Sequence, residues 1–152
     1  LQQYLKPRRL IIVDLRDEFI EKDEALGLFV VMLNIFSSVT MVDGHSFNKF
    51  IIFDEAHKYM NNKELVGSIT TAIREMRHKG VSIMIASQDP MSLPTEIIEL
   101  SSIVVMHRFS SPAWVKHVQK AITPLQTLTA TEMASLGSGE AYCGLIKQQT
   151  KQ

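Results

Sequence analysis

Cysteine is almost absent from this sequence, and no apolar run is long enough to cross a membrane. The single cysteine, Cys143, excludes an internal disulfide framework and fits a reducing compartment. The most hydrophobic window, residues 25–36, is too short to span a bilayer and contains Asn34, so it predicts a buried helix. We therefore expect a cytoplasmic protein that makes no membrane contact.

The chain also lacks an excess of charge of either sign. Its 16 Lys and Arg residues balance 16 Asp and Glu residues, which gives a formal net charge of +0 at pH 7. Proteins that bind nucleic acid by electrostatics alone are usually more basic. Any contact with DNA must therefore come from a local patch or from several subunits together.

The length of 152 residues is about that of one domain, and the apolar content of 45% is ordinary for a soluble globular protein. We predict a single domain over residues 1–152. Because the sequence does not begin with Met, we expect it to be a fragment of a longer protein.

Short apolar runs alternate with segments of helical periodicity. The predicted strands are residues 10–13, 50–53, 81–86 and 103–106, and most of them show no polar alternation, as is typical of strands covered on both faces. The predicted helices cover residues 23–36, residues 63–78 and a short segment from Pro94. This order predicts an α/β fold with a mainly parallel sheet flanked by helices.

Local signals mark several element ends. Asp23 is a candidate N-cap, and Gly80 is a candidate stop before the third strand. In the last third, residues 111–117 predict a helix, residues 129–132 form a capping-box pattern for another that stops at Gly137, and residues 139–146 predict a strand.

Polar residues follow several predicted strands. They are Asp14, then Asp54 and Glu55, then residues 87–90. Ligands of open α/β sheets bind outside the carboxyl ends of the strands, so this convergence is the strongest functional signal in the sequence.

An apolar strand followed by Asp-Glu has the form of the Walker B element of P-loop nucleotidases. Asp54 would then bind Mg²⁺ through a water, and Glu55 would polarise the water that attacks the γ-phosphate of ATP. The alternative is a pair of solvated acids that complement the dipole of the next helix.

Three further side chains are candidates for the same chemistry. Gln88 could contact the γ-phosphate or the attacking water, although residues 87–90 could equally be an ordinary turn. Arg77, near a helix end, could reach the phosphates of a neighbouring subunit or could merely complement the helix C-terminus, and Arg74 points nearly away from the apolar stripe. His57 is expected to pack or hydrogen-bond rather than to bind metal.

The motifs taken together resemble the C-terminal half of HerA/FtsK-type P-loop ATPases, a group related to type IV secretion ATPases. The resemblance rests on the order and spacing of the stretches FIIFDEAHKYM, IREMRHKGVSIMIASQDPMSLP, SSIVVMHRFSSPAWVKHV and LGSGEAY. It implies a RecA-like core that assembles as a homo-oligomeric, hexameric ring, binds ATP and Mg²⁺ between subunits and moves DNA, with a nuclease as a possible partner.

The resemblance also implies roles for single residues. Asp54 resembles the Mg²⁺-associated acid, Glu55 the catalytic glutamate and Gln88 the polar sensor. Arg77 resembles the arginine finger that acts in trans, with Arg74 as second choice, although the residues around Arg77 depart from the usual letters.

The phosphate-binding loop G-x-x-x-x-G-K-[ST] does not occur in these residues. We therefore expect the isolated chain to bind ATP weakly and to hydrolyse it negligibly. A non-catalytic RecA-like scaffold is the alternative. A DEAH-box superfamily 2 helicase fragment fits less well, because the next strand ends in ASQDP and no arginine-rich Q-R-x-G-R motif follows.

Overall fold

The computed structural model describes residues 4, 6–14, 22–39, 47–58, 60, 63–76 and 79–145. These residues belong to two compact units, residues 1–86 and 87–152. The first unit contains helices α1 (Lys22–Ser38) and α2 (Lys63–Met76) and strands β1 (Lys49–Phe53) and β2 (Val81–Ile85). The second contains helices α3 (Thr95–Leu100), α4 (Pro112–Ala121) and α5 (Ala130–Ser135) and strands β3 (Ile103–His107) and β4 (Ala141–Leu145).

Strands β1 and β2 form a parallel ladder, in register from Lys49 opposite Val81 to Phe53 opposite Ile85. The ladder confirms the parallel pairing that the two apolar runs predict. The α/β fold class is also confirmed, and β3 and β4 add an antiparallel ladder in the second unit. The prediction of one domain over residues 1–152 stays a prediction.

One face of the β1–β2 pair is covered and the other is open. Phe53 and Val81 are buried on the covered face. Side chains of the opposite face are large, apolar and about half exposed: Phe50 58%, Ile52 55% and Met84 49%. The expectation that these strands are covered on both faces is therefore wrong for the described part of the first unit.

Helix α2 packs against α1 and β2 with an apolar stripe. Val66, Ile69 and Ala72 recur at helical spacing, and all three are buried. Gly80 then turns the chain into β2 with a φ of 67°, in the left-handed region that suits glycine. Helix α2 ends at Met76, four residues before Gly80, so the glycine lies just before β2 as predicted but is not the residue at which the helix ends.

Helix α1 departs from its prediction in two respects. It begins at Lys22, so Asp23 lies inside the helix rather than at its N-cap. Leu33 is buried, but Leu28 and Val31 are about half exposed, so the helix is only partly buried.

The end of α1 is tied to the start of β1 by a buried lysine. The Lys49 ammonium donates a hydrogen bond to the Ser37 carbonyl over 3.1 Å, in the last turn of α1, where carbonyls have no partner within the helix. Burial lowers the pKa of Lys49 below its ordinary value, and the charge of Lys79 lowers it further.

Residues 10–13 form no strand, which corrects the sequence prediction. Their side chains are exposed, from 39% at Ile11 to 85% at Leu10. An apolar run becomes a strand only when a neighbouring strand accepts its backbone hydrogen bonds, and no such neighbour pairs with it among the described residues.

The second unit encloses its own core, built by α3, α4, α5 and the inner face of the β3–β4 ladder. Its buried residues are Ile98, Met106, Val115, Val118, Ile122, Leu125, Leu128 and Met133. The rings of Phe109 and Trp114 pack beside this core with centroids 5.5 Å apart, as expected for packing aromatics. Cys143 lies in β4 as predicted, but it is exposed.

The helices of the second unit begin at side-chain caps. Ser111 caps α4 by accepting the Trp114 N–H. At α5 the Thr129 hydroxyl accepts the Glu132 N–H over 3.2 Å, and the Glu132 carboxylate accepts the Thr129 N–H over 2.7 Å. This pair confirms the predicted capping box. None of the helices in the described residues combines the length and apolar content that crossing a membrane requires.

Replacing Thr129 by Ala should lower the free energy of unfolding of the second unit by about 1 kcal/mol, because the N-cap acceptor is lost. Thr129→Ser keeps a hydroxyl acceptor and should therefore retain most of the wild-type stability. The matched control is Thr131→Ala, an exposed threonine inside α5, where the change should leave stability equal or slightly higher. Urea denaturation of the three variants measures the difference, and equal losses at both threonines would contradict the capping role.

The same cap should be pH-dependent. Hydrogen bonds from Thr129 lower the pKa of Glu132 below its ordinary value of 4.5. The stabilisation from a carboxylate with a lowered folded-state pKa is present above the ordinary value and is lost as the pH falls through the lowered one. The largest cause is the backbone N–H of Thr129, which Thr129→Ala keeps, so the variant to compare is Glu132→Ala. The stability gap between wild type and Glu132→Ala should shrink on acidification below pH 4.5.

Candidate functional site

The carboxyl end of β1 is fastened to the end of β2 by two backbone hydrogen bonds. The Ala86 N–H donates to the Phe53 carbonyl over 2.8 Å, and the Ala56 N–H donates to the Ala86 carbonyl over 2.9 Å. Phe53 and Ala56 are thus held at the same residue of the neighbouring strand. Asp54 and Glu55 form the two-residue turn between them.

This turn forces an unusual backbone on Glu55. Its φ is 53°, and positive φ among the non-glycine residues described is shared only with Arg8. The third residue of a tight turn is the usual place for a positive φ, and glycine or asparagine normally occupies it. A side chain such as glutamate costs free energy there, so its presence suggests a role other than stability.

Two hydrogen bonds fix the turn from within. The Asp54 carboxylate accepts the Glu55 N–H over 3.0 Å, and the Glu55 carbonyl accepts the Lys58 N–H over 3.0 Å. The second bond begins a 3₁₀ turn, Ala56–Lys58, in which Ala56 is buried. The Asp54 side chain remains exposed at this edge of the sheet, whereas Glu55 is partly buried.

The 3₁₀ turn brings two basic side chains to the Glu55 carboxylate. Lys58 Nζ lies 3.3 Å and His57 Nε2 lies 3.6 Å from Glu55 Oε2. A half-exposed ion pair of this kind contributes about 0 to 1 kcal/mol to stability, and 3.6 Å is too long for a hydrogen bond. The Nδ1 atom of His57 is buried without a hydrogen-bond partner among the described residues. Sequence reasoning predicted His57 only as a packing or hydrogen-bonding residue and missed Lys58, although its spacing of three residues from Glu55 is a usable signal.

The donor chemistry of this edge fits a magnesium ion bound through water. Carboxylate oxygens are the ligands that Mg²⁺ prefers, and the ion commonly keeps several waters. Asp54 offers an exposed carboxylate, so it could accept hydrogen bonds from such waters. Groups of three or more His, Cys, Asp or Glu side chains that could bind a metal directly are absent from the residues described.

Gln88 belongs to the second unit, three residues after β2 ends at Ile85, and its side chain is exposed. Pro90–Ser92 form a 3₁₀ turn with Asp89 as N-cap, so this turn begins at Pro90 rather than at Ser87 as the sequence suggests. The sensing role of Gln88 stays a prediction. Sequence reasoning missed the part that Asp89 plays, although an acid before a proline is a recognisable cap signal.

Of the two candidate arginines, only Arg74 lies among the residues that the structure describes. Arg74 lies in the last turn of α2 and is exposed. Arg77 lies outside the described residues, so its role stays a prediction.

The backbone strain at residue 55 can be measured without any activity assay. Glu55→Gly should be more stable than Glu55→Ala by about 1 kcal/mol, because glycine adopts a positive φ without steric cost and both variants lack the carboxylate. Thermal or urea unfolding of the two proteins gives the difference.

Ser82, an exposed residue in the middle of β2, is the matched control for that pair. At this extended position Ser82→Gly should be less stable than Ser82→Ala by about 0.5 to 1 kcal/mol, the opposite order. An alanine variant at 55 as stable as the glycine variant would show that the left-handed backbone is not maintained in solution.

A genome-packaging enzyme is among the solved structures that resemble this chain. It is the genome packaging NTPase B204 from Sulfolobus turreted icosahedral virus 2 in complex with AMP, with a TM-score of 0.63 and 14% identity over 94% of this chain and 65% of that one. Its complex with AMPPCP gives a TM-score of 0.52 and 15% identity over 90% and 65% of the two chains. At this identity the likeness shows the fold alone, and it agrees with the predicted RecA-like α/β class.

Sequence comparison adds the family. The probable helicase MJ1565 of Methanocaldococcus jannaschii is 31% identical over 103 residues, which cover 64% of this chain and 20% of that protein. The chain therefore corresponds to about a fifth of that relative's length. Residues 24–151 match the model of the HerA-like helicase C-terminal family. Because this match covers most of the sequence, the chain belongs to the HerA-like helicase C-terminal family.

Proposed function

We propose that this chain is the part of an ATP-driven ring motor that carries the Walker B acids, the catalytic glutamate and a γ-phosphate sensor. Family membership supports a motor ATPase. The observation that carries the assignment of the acids is the turn at Asp54 and Glu55. It lies at the carboxyl end of a parallel strand pair, where ligands of α/β sheets bind, and it holds Glu55 in a strained backbone.

The two acids have different tasks in this proposal. Asp54 would hold Mg²⁺ through its waters, and the ion would supply positive charge next to the phosphates of ATP. Glu55 orients the attacking water and accepts its proton. The turn suits this task because it fixes the backbone from which the carboxylate projects, so that less reorganisation is needed during the reaction.

The remaining roles follow from the resemblance of the motifs. Gln88 contacts the γ-phosphate or the attacking water through its amide. Arg77, or Arg74 as second choice, reaches the phosphates bound by a neighbouring subunit. The protein would then act as a homo-oligomer, a hexameric ring in the cytoplasm, and a nuclease is a possible partner.

Double-stranded DNA is the cargo we propose. The family is named for helicases, and the solved relative is a genome-packaging NTPase. With a formal net charge of +0, contacts with DNA must come from a local patch or from several subunits together, and we propose the second. Contacts with DNA would then be weak in each subunit and summed around the ring.

The 152 residues alone should not sustain turnover. They contain no G-x-x-x-x-G-K-[ST] stretch, so the backbone amides and lysine that hold phosphates must come from elsewhere. The purified chain should bind ATP weakly in calorimetry and release phosphate at the background rate. Magnesium-dependent turnover by the pure chain would contradict this expectation, and a Glu55→Gln chain is the control for contaminating ATPases.

Glu55→Gln tests the mechanism in the whole protein that joins these residues to a phosphate-binding loop. The amide keeps the size of the side chain but cannot accept a proton, so ATP should still bind while turnover falls by about 100-fold or more. Phosphate release should be measured with and without double-stranded DNA, which we expect to stimulate the wild type.

The matched control is Glu75→Gln, the same change at an exposed glutamate of α2. It should hydrolyse ATP like the wild type. Equal turnover in wild type and Glu55→Gln would remove Glu55 from the mechanism and favour the non-catalytic scaffold.

A further inference from the structure

The turn that carries Gln88 is closed by the residues on either side of it. The Ser87 hydroxyl donates to the Asp89 carbonyl over 3.0 Å, and the Asp89 N–H donates to the same hydroxyl over 3.2 Å. Gln88 stands between these two residues in the sequence. Its backbone is therefore held at both ends, while its side chain remains exposed.

Asp89 is where the hydrogen bonds of this turn meet. Its carboxylate accepts the Met91 N–H over 3.0 Å, which makes it the N-cap of the Pro90–Ser92 turn. Its carbonyl also accepts the Ser92 hydroxyl over 2.7 Å. Pro90 at the first position of the turn fixes its own φ, so the segment after Asp89 has few alternative conformations.

The turn is in addition attached to the core of the second unit. His117 on α4 lies with Nε2 2.9 Å from the Leu93 carbonyl, and because a carbonyl can only accept, Nε2 carries the hydrogen. Val118, which follows His117 on α4, and Val115 are buried in the core. Hydrogen bonds thus hold the backbone along the whole segment from Ser87 to Leu93.

We propose that Asp89 is a positioning residue for Gln88, acting through the hydrogen-bonded turn and touching no substrate itself. The inference rests on the proposed function, in which the Gln88 amide contacts the γ-phosphate or its water. A long amide side chain reaches the same point on every turnover only if the backbone that carries it is fixed. Asp89 supplies this by accepting a backbone N–H through one carboxylate oxygen, so its charge is not required.

That distinction can be tested in the whole protein. Asp89→Ala removes the acceptor and should lower kcat for ATP about 10-fold with little change in KM, since small misplacements of a catalytic group are costly. Asp89→Asn keeps an acceptor oxygen without the charge and should stay within about twofold of wild type. Glu99→Ala, an exposed acid on α3, is the control and should leave kcat unchanged. An Asp89→Asn protein as slow as Asp89→Ala would overturn the proposal, because the charge itself would then be needed.

A double-mutant cycle separates positioning from general damage. If Asp89 works through Gln88, the double variant Gln88→Ala/Asp89→Ala should be no slower than Gln88→Ala alone. Independent, multiplying losses would overturn the proposal. So would a Gln88→Ala protein with wild-type kcat, and in that case the Glu55→Gln result still decides whether the motor function stands.

Ser92→Ala provides a second route should Asp89→Ala fail to fold. It removes one hydrogen bond to the Asp89 carbonyl and leaves the cap intact. Its kcat should fall about threefold, again with no further loss on top of Gln88→Ala. A Ser92→Ala loss that multiplies with that of Gln88→Ala would contradict the proposal.

Discussion

The backbone of Ala86 is the constraint on which the candidate site depends. Its N–H donates to the carbonyl of Phe53 at the end of β1, and its carbonyl accepts the N–H of Ala56 at the start of the 3₁₀ turn. The strand must therefore leave the ladder and return to it within two residues, and this geometry produces the positive φ at Glu55. Long-range pairing of β1 with β2 thus determines the conformation of the residue that carries the proposed chemistry.

Much of this arrangement could be predicted from local patterns. Apolar runs indicated β1 and β2, helical spacing indicated α2, and the capping box at Thr129 and Glu132 is present as its spacing requires. The left-handed backbone of Glu55 could not be predicted, because it depends on a hydrogen bond to Ala86, thirty-one residues from Glu55 along the chain. The support that Asp89 gives to Gln88 could not be predicted for a related reason. It is created by hydrogen bonds from three separate side chains, those of Ser87, Asp89 and Ser92.

Residues 10–13 were predicted as a strand but form none, which shows that an apolar run alone does not specify a strand. Hydrophobicity favours burial, whereas a strand also needs a neighbour for its hydrogen bonds. The open faces of the two ladders make the same point. Phe50, Ile52 and Met84 in one unit, and Ile103, Val105 and Leu145 in the other, alternate as strand residues should, yet they are about half exposed or more. The apolar runs therefore predicted where the strands lie, but they did not predict which part of the protein covers each face of the ladders.

The alternative for Asp54 and Glu55, that they complement the dipole of the next helix, does not apply to α2. Helix α2 begins only at Lys63, so neither acid lies in its first turn, where such an effect acts. Glu55 instead contacts Lys58, an ion pair too weak at this exposure to explain a strained residue. Glycine or asparagine would satisfy the same turn at lower cost. A carboxylate kept at the edge of a parallel ladder against its conformational preference is the observation that supports the role proposed for Glu55.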